Sequence, residues 1–246
     1  MILNVDGHEL EFFEWDHSAH STFMLGLSGG TDSAMYLYLA CMAIPEKKII
    51  CHTGVNTNNR KDPWIAHYAS DIIDWMREQF PNVDIIHEPY HFNSGALENI
   101  VQARKEIEEA EDKSIFPELY GHAKAVAQRP YKRMITRKYN VTLSGHGITK
   151  NPPVKLPFAE PRRDQEYDRL KINKSGSAHY KPFVNVDKKY IAGLYKQFNL
   201  MDTLFPMTYS CIGNTIVTKY HTEPCKECFW CHEKKWAFGC YDGGRS

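Results

Sequence analysis

Residues 23–40 read "FMLGLSGGTDSAMYLYLA". A short apolar run ends at Ser-Gly-Gly, and a helix-forming run begins a few residues later. Between them stand two glycines, three hydroxyls and one carboxylate. That pattern reads as a buried strand (22–27, "TFMLGL"), a turn, and a helix (33–43, "SAMYLYLACMA") buried on most sides. Gly29 and Gly30 permit positive φ and a close backbone approach to a ligand. The helix starting near Asp32 or Ser33 adds unpaired N–H groups and a positive dipole end. Ser28, Thr31 and Ser33 add hydroxyl donors, so the turn suits phosphate. Asp32 suits it only with a divalent cation between carboxylate and phosphate, or as a brace behind the loop. Neither G-x-x-x-x-G-K-[ST] nor G-x-G-x-x-G is present.

Working outward, strand and helix signals alternate. "KKIICHT" reads as a second strand and "VDIIHEP" as a third. Residues 62–80 carry Ile65, Ala69, Ile72, Met76 and Phe80 at helical spacing. "ALENIVQARKEIEEAEDK" reads as a charged helix with Leu97, Ile100, Val101 and Ile107 on its apolar side. "NVTLSGHG" (140–147) is a fourth strand, and "VDKKYIAGLYKQFNL" a further helix with Asp187 as N-cap. A short hairpin or lead-in strand is placed at 10–20. Residues 148–182, rich in Pro, Lys and Arg, show no period and read as a long substrate loop or a disordered segment. The fold class expected is α/β, a doubly wound, mostly parallel sheet. Its ligand then binds beyond the carboxyl ends of the strands.

The 246 residues suffice for one large domain, or for a domain plus a small module; the division expected is 1–206 and 207–246. Thirty basic and thirty acidic residues balance, so charge gives no broad attraction to nucleic acid, and no nucleic-acid partner is expected. No apolar run spans a bilayer. The start, "MILNVDGHELEFFEWD", lacks the basic stretch of a secretion signal. A cytoplasmic protein with no membrane partner is expected.

Of seven cysteines, Cys41 and Cys51 sit in apolar segments and read as buried thiols. The other five crowd "SCIGNTIVTKYHTEPCKECFWCHEKKWAFGC" (210–240). Cys225, Cys228 and Cys231 form C-x-x-C-x-x-C, and Cys211 from a second segment completes a tetrahedral zinc set. His221, His232 and Cys240 are rivals for the fourth place. An iron–sulfur cluster and plain reduced thiols are the competing readings.

"SGGTDS" resembles the loop of the N-type ATP pyrophosphatases, the PP-loop superfamily of adenine nucleotide alpha-hydrolase-like (HUP) fold. The resemblance implies ATP cleaved between its α and β phosphates, with the loop holding pyrophosphate. It implies nucleotide contacts from Ser28, Gly29, Gly30, Thr31, Asp32, Ser33, Thr53, Gly54, Gly145 and His146. Catalytic roles fall to Asp32, Ser33 and Lys188, with ATP, Mg²⁺ and Zn²⁺ as cofactors. The tail narrows the likeness. "TYSC", "CKECFWC", "HEKKWAF" and "KPFVNVDKKYIAGLYKQFNL" are similar to segments of the 7-cyano-7-deazaguanine synthase family. In that family a deazapurine carboxylate is adenylated and aminated by ammonia, then dehydrated to a nitrile with a second ATP. Relatives often form dimers, which extends a homodimer as an expectation.

The middle of the chain departs from that family. Its Gly-Arg-Asn turn is replaced by Gly121-His122-Ala123, and Pro130 is expected to interrupt the helix there. Arg129, Lys132, Arg133, Arg137 and Lys138 are the alternative cations. The acidic base-reading loop is replaced by "GHGITKNPPVKLPFAEPRRDQEYDR". "HTGVNTN" is more like phosphosulfate reductases. A sulfurtransferase or phosphosulfate reductase-like enzyme, with Cys51 as its reactive thiol, is therefore the second reading. A non-catalytic nucleotide-binding module is the third.

Overall fold

In a computed structural model, residues 1–58, 62–110, 119–157, 168–212 and 223–242 are described. The elements run β1 (Ile2–Val5), β2 (His8–Glu11), β3 (Thr22–Gly26), α1 (Thr31–Ala43), β4 (Lys48–Asn56), α2 (Asp62–Gln79), β5 (Ile85–Phe92), α3 (Leu97–Glu109), α4 (Leu119–Lys138), β6 (Leu143–Gly145), β7 (Leu170–Ile172), β8 (Ala178–Tyr180), α5 (Lys188–Gln197) and α6 (Phe229–Phe238), with a 3₁₀ turn at Phe205–Met207 before α6. The main sheet has the order β5-β4-β3-β6-β8-β7. All its pairings are parallel except β7 with β8.

The strands are buried on both faces because their side chains alternate between two cores. Phe23, Leu25, Ile49 and Cys51 point into the larger core, shared with α1, α2 and α5. Met24 and Ile50 point the other way, into a core with Ile135 of α4. The chain builds β3, β4 and β5 outward in one direction, then returns to place β6 on the other flank of β3. The strand order therefore reverses between β3 and β6, and the crevice at their carboxyl ends is the expected ligand position.

Four local expectations need correction. The hairpin lies at 2–11, not 10–20, closed by Asp6 and Gly7 at φ 52° and 81°, as a tight Asp-Gly turn requires. The segment 148–182 is not structureless: β8 adds to the sheet beside β6, and β7 folds back on it around Gly176. Helix α4 runs through Pro130, which is exposed. On α3, Leu97 and Val101 face solvent. Ala103 instead forms the buried contact with Ala123 and Val126 of α4. Asp187 does cap α5, accepting from the N–H groups of Lys189 and Tyr190.

Candidate functional site

At the end of β3 the chain is pinned before it turns. The Leu27 N–H donates to His52 O at 2.9 Å, and Thr53 Oγ1 donates to Leu27 O at 2.9 Å. Ser33 Oγ then ties the turn together, accepting from the Ser28 N–H and donating to Gly30 O. Gly29 sits at φ +76°, and a Cβ there would lie 2.9 Å from Tyr68 Cβ. Both backbone conformation and space therefore demand glycine. Gly30 has ordinary φ and, as N-cap of α1, offers no side chain to the helix amides. The start of α1 thus presents backbone donors and its dipole without a capping acceptor. The helix begins at Thr31, one or two residues earlier than its sequence pattern indicates.

Asp32 is held from across the fold. Lys188 Nζ, on the first residue of α5, donates to Asp32 Oδ2 at 2.6 Å and lies 3.7 Å from Glu233 of α6. The Lys188 side chain is 6 % exposed and that of Glu233 1 %. Lys188 is therefore a buried, paired lysine and not a surface one. Tyr195 of α5 braces the same helix start, donating its hydroxyl proton to Thr31 O at 3.1 Å.

These groups face a cavity of about 500 Å³. Ser28, Gly30, Thr31, Asp32, Ser33, His146 and Lys188 lie on its walls. Asp32 is the only carboxylate among its described lining residues. Gly147 closes one side, where a Cβ would lie 2.8 Å from Asp32 O. Four residues expected at the nucleotide are not wall residues. Gly29 packs on Tyr68, Gly145 on Tyr36 and Gly54 on Tyr90, while Thr53 is fully buried behind Leu27.

None of the five expected cations, Arg129, Lys132, Arg133, Arg137 and Lys138, lines the cavity. Arg129 is bound by both oxygens of Glu106, at 2.6 and 2.7 Å, and Lys138 by Glu88 at 2.6 Å. Arg133 and Arg137 line a separate surface groove. Besides Lys188, the cation that reaches the wall is Lys124, one turn into α4. Sequence reasoning passed over it, although it directly follows Gly121-His122-Ala123, which lie inside α4 and form no turn. Tyr209, Ser210 and Trp230 were also missed, because the tail reaches the cavity only by folding back. The Tyr209 N–H donates to Gly29 O at 2.8 Å, and the Tyr209 ring stacks on Tyr68.

The cysteine tail closes as a cluster. The Sγ atoms of Cys211, Cys225, Cys228 and Cys231 all lie within 4.8 Å of one another, with Cys225 and Cys231 3.9 Å apart. A tetrahedral ion with bonds of about 2.3 Å to sulfur needs sulfurs roughly 3.8 Å apart, so the set fits zinc. The N–H groups of Cys225 and Cys228 donate to Cys211 Sγ and Cys225 Sγ, bonds that favour thiolates. Hydrogen bonds from the Cys211 and Cys231 thiols pull Cys228 down to about 3. Of the rivals, His232 and Cys240 stand outside this four-sulfur set, and His221 lies outside the described residues. Cys41 and Cys51 are buried, and burial raises both thiols, Cys41 to about 12. Cys51 points into the large core, away from the cavity, which removes it as a reactive thiol.

The tail is fastened to the site by a second buried pair. Lys234 and Asp242, each 1 % exposed, form an ion pair. Asp242 Oδ2 also accepts from the N–H groups of Ser210 and Cys211. Residues 208–211 are therefore held between Gly29 on one side and Asp242 on the other.

No helix among the described residues is long and apolar enough to cross a membrane. No protein-family model and no curated protein matches the chain. Among solved structures, it is similar to the NMN synthetase from Francisella tularensis at 17 % identity and TM-score 0.43, covering 76 % of this chain and 66 % of that one. It is similar to the NH3-dependent NAD synthetase from Campylobacter jejuni at 18 % identity and TM-score 0.40, covering 76 % and 68 %. A third likeness is to a U34-tRNA thiolase from Methanococcus maripaludis with its 4Fe-4S cluster, at 17 % identity and TM-score 0.35, covering 53 % and 39 %. The chain spans 66 % and 68 % of the length of these two synthetases and 39 % of that of the thiolase.

Proposed function

We propose that the chain is an ATP pyrophosphatase of the PP-loop type, a ligase that activates an acceptor oxygen as its adenylate. One observation carries this reading. The left-handed turn at Gly29 feeds an uncapped helix start that opens on a cavity flanked by Lys188 and Lys124. In this reading the amides of residues 29–31 and the hydroxyls of Ser28, Thr31 and Ser33 hold the β and γ phosphates. The acceptor carboxylate attacks the α-phosphorus, the α–β bridging bond breaks, and pyrophosphate leaves with both its electrons. Ammonia then attacks the acyl carbon, AMP departs, and a proton is released as the amide forms. The protein's share is positioning and charge stabilisation. Lys188 supplies positive charge and fixes Asp32. Asp32, as the cavity's carboxylate, is the residue that would hold Mg²⁺ between itself and the phosphates.

The acceptor in this proposal is a deazapurine-like carboxylic acid, with ammonia as nitrogen donor and nitrile formation as a second ATP-dependent stage. The cysteine module, 207–246, holds structural zinc, and the PP-loop domain is 1–206. The enzyme acts in the cytoplasm as a homodimer without membrane or nucleic-acid partners. The test is product analysis: incubation with ATP, magnesium, ammonium and 7-carboxy-7-deazaguanine, with mass spectrometry of the base. Amide or nitrile, formed with AMP, supports the reading. Unchanged acid with no AMP overturns the substrate assignment.

A second reading has one observation in its favour. Cys211, a member of the four-sulfur cluster, also lies on the cavity wall. A sulfur-transferring relative would place an iron–sulfur cluster there. Metal analysis separates the two, since zinc without iron supports the ligase.

A further inference from the structure

The cavity of about 500 Å³ is lined by two unlike groups of residues. One is the 28–33 loop with Lys188 and Lys124, and the phosphate reading uses it fully. The other is apolar and has no task in that reading: Ile65 of α2, Ile148, and Ile212 and Trp230 from the tail. Ile148 is 36 % exposed and Ile212 50 %, and Trp230 is half-buried. Large apolar side chains left open beside a few convergent polar groups mark a ligand surface.

Trp230 is held firmly. It lies between Cys228 and Cys231, both members of the four-sulfur set, in the first turn of α6. Its neighbour Phe229 is 2 % exposed, and the two rings meet edge to face with centroids 5.8 Å apart. Helical phase gives its direction. Residues three apart lie on one face of a helix, so Trp230 shares a face with Glu233. The Glu233 carboxylate lies 3.7 Å from Lys188 Nζ, which holds Asp32 at 2.6 Å. The indole therefore enters the cavity from the face of α6 that is turned to the Asp32–Lys188 pair. The tail segment before the cluster comes as close. A Cβ on Gly30 would lie 3.7 Å from Tyr209 O and 4.0 Å from Ser210 Oγ.

A phosphate chain gains nothing from isoleucine and indole, whereas a planar ring does. Stacking a base on an aromatic side chain strengthens binding about tenfold to a hundredfold. The geometry points to a ring subsite on the tail side of the cavity, in which Trp230 stacks on the planar heteroaromatic ring of the acceptor and so determines specificity. Ile148 and Ile212 are its apolar flanks. Assignment of the ring to the acceptor rests on the adenylation reading above; the subsite itself does not. Adenine is the other source of the same chemistry. It is separated from the α-phosphorus by a ribose, whereas the acceptor's ring is one carboxylate away. A ring surface beside Asp32 and Lys188 therefore suits the acceptor.

The test uses the full chain and titration calorimetry with three probes. They are 7-carboxy-7-deazaguanine, α,β-methylene-ATP with magnesium, and inorganic triphosphate, which has no ring. The deazaguanine is titrated with and without saturating α,β-methylene-ATP. Trp230→Leu should weaken the deazaguanine at least tenfold and leave triphosphate within twofold. Trp230→Phe, which restores an aromatic face, should return affinity to within about threefold of the wild type. Ile148→Ser, outside the cysteine tail, should weaken the deazaguanine about threefold or more. Tryptophan emission adds a readout of contact: the deazaguanine should quench the wild type and leave Trp230→Phe unquenched. Affinity for both ring ligands unchanged in Trp230→Leu and Ile148→Ser overturns the subsite. An equal loss of triphosphate also overturns it, by tracing the effect to the loop. A tenfold loss confined to α,β-methylene-ATP overturns the assignment to the acceptor and gives the ring to adenine. AMP formation is followed separately. The predicted loss of ring binding, without AMP formation from any carboxylate, keeps the subsite and sinks the adenylation reading. AMP formation with acceptor KM unchanged in Trp230→Leu sinks the subsite and keeps adenylation.

Discussion

Lys188 and Asp32, 156 residues apart in sequence, meet at 2.6 Å across the start of α1. Glu233 of α6 stands behind Lys188 at 3.7 Å. One lysine thus joins the phosphate-type loop, the helix α5 and the cysteine tail. Removing a partner from such a buried set leaves charge without compensation. Lys188→Met is expected to cost about 3–5 kcal/mol in chemical denaturation. A loss under about 0.5 kcal/mol, the usual range for a surface change, would show that the pair has no structural role. Asp32→Asn, which keeps shape and some hydrogen bonding, should fold and yet lower AMP formation by about 100-fold, the scale of one lost electrostatic contact. Full activity in that variant would remove Asp32 from the chemistry.

The Lys234–Asp242 pair makes a separate expectation. Asp242→Asn removes the charge opposite a buried lysine and weakens the anchor of residues 208–211. Loss of about 3–5 kcal/mol is expected, with nucleotide affinity falling as well, because Tyr209 supports Gly29. Stability lost without any change in nucleotide affinity would contradict the link between tail and loop.

Metal content follows from the four sulfurs. Purified protein should carry one zinc per chain, and Cys228→Ser should lose it together with thermal stability. Cys240→Ser and His232→Ala should retain it, since neither belongs to the cluster. Retention by Cys228→Ser, or loss in Cys240→Ser, would show the ligand set to be different.

Acid sensitivity should appear early. His52 and His146 stay neutral in the folded chain down to about pH 3, and His179 to about 4, while the unfolded chain protonates them near 6.5. The unfolded state therefore binds more protons between those values, and stability falls as pH drops through that window. His17, His20 and His87 are shifted the same way by burial. Each histidine contributes roughly 1.4 kcal/mol per pH unit at most in the window. Denaturation midpoints between pH 7 and 5, above the carboxylate range, check this; a flat profile would contradict buried neutral histidines.

Much of this was readable from residues alone, and the failures have physical causes. The segment 22–43 is an apolar stretch broken by Ser-Gly-Gly, and 62–80 carries a helical period, so their element types survive without the structure. The strands β7 and β8 have three residues each, too few for a period. They exist because β6 offers an edge and Asn173 organises the turn, accepting from the N–H groups of Ser175 and Ser177. The cysteine set was legible because ligand spacing is local. Lys124 and Tyr209 were not, since only the crossing of distant elements brings them to the cavity beside the 28–33 loop.

The most direct measurement is a crystal structure of the protein with α,β-methylene-ATP and magnesium. The β and γ phosphates are expected against the amides of residues 29–31, with Lys188 within hydrogen-bond reach. Nucleotide density elsewhere, with that turn unengaged, would contradict the central claim.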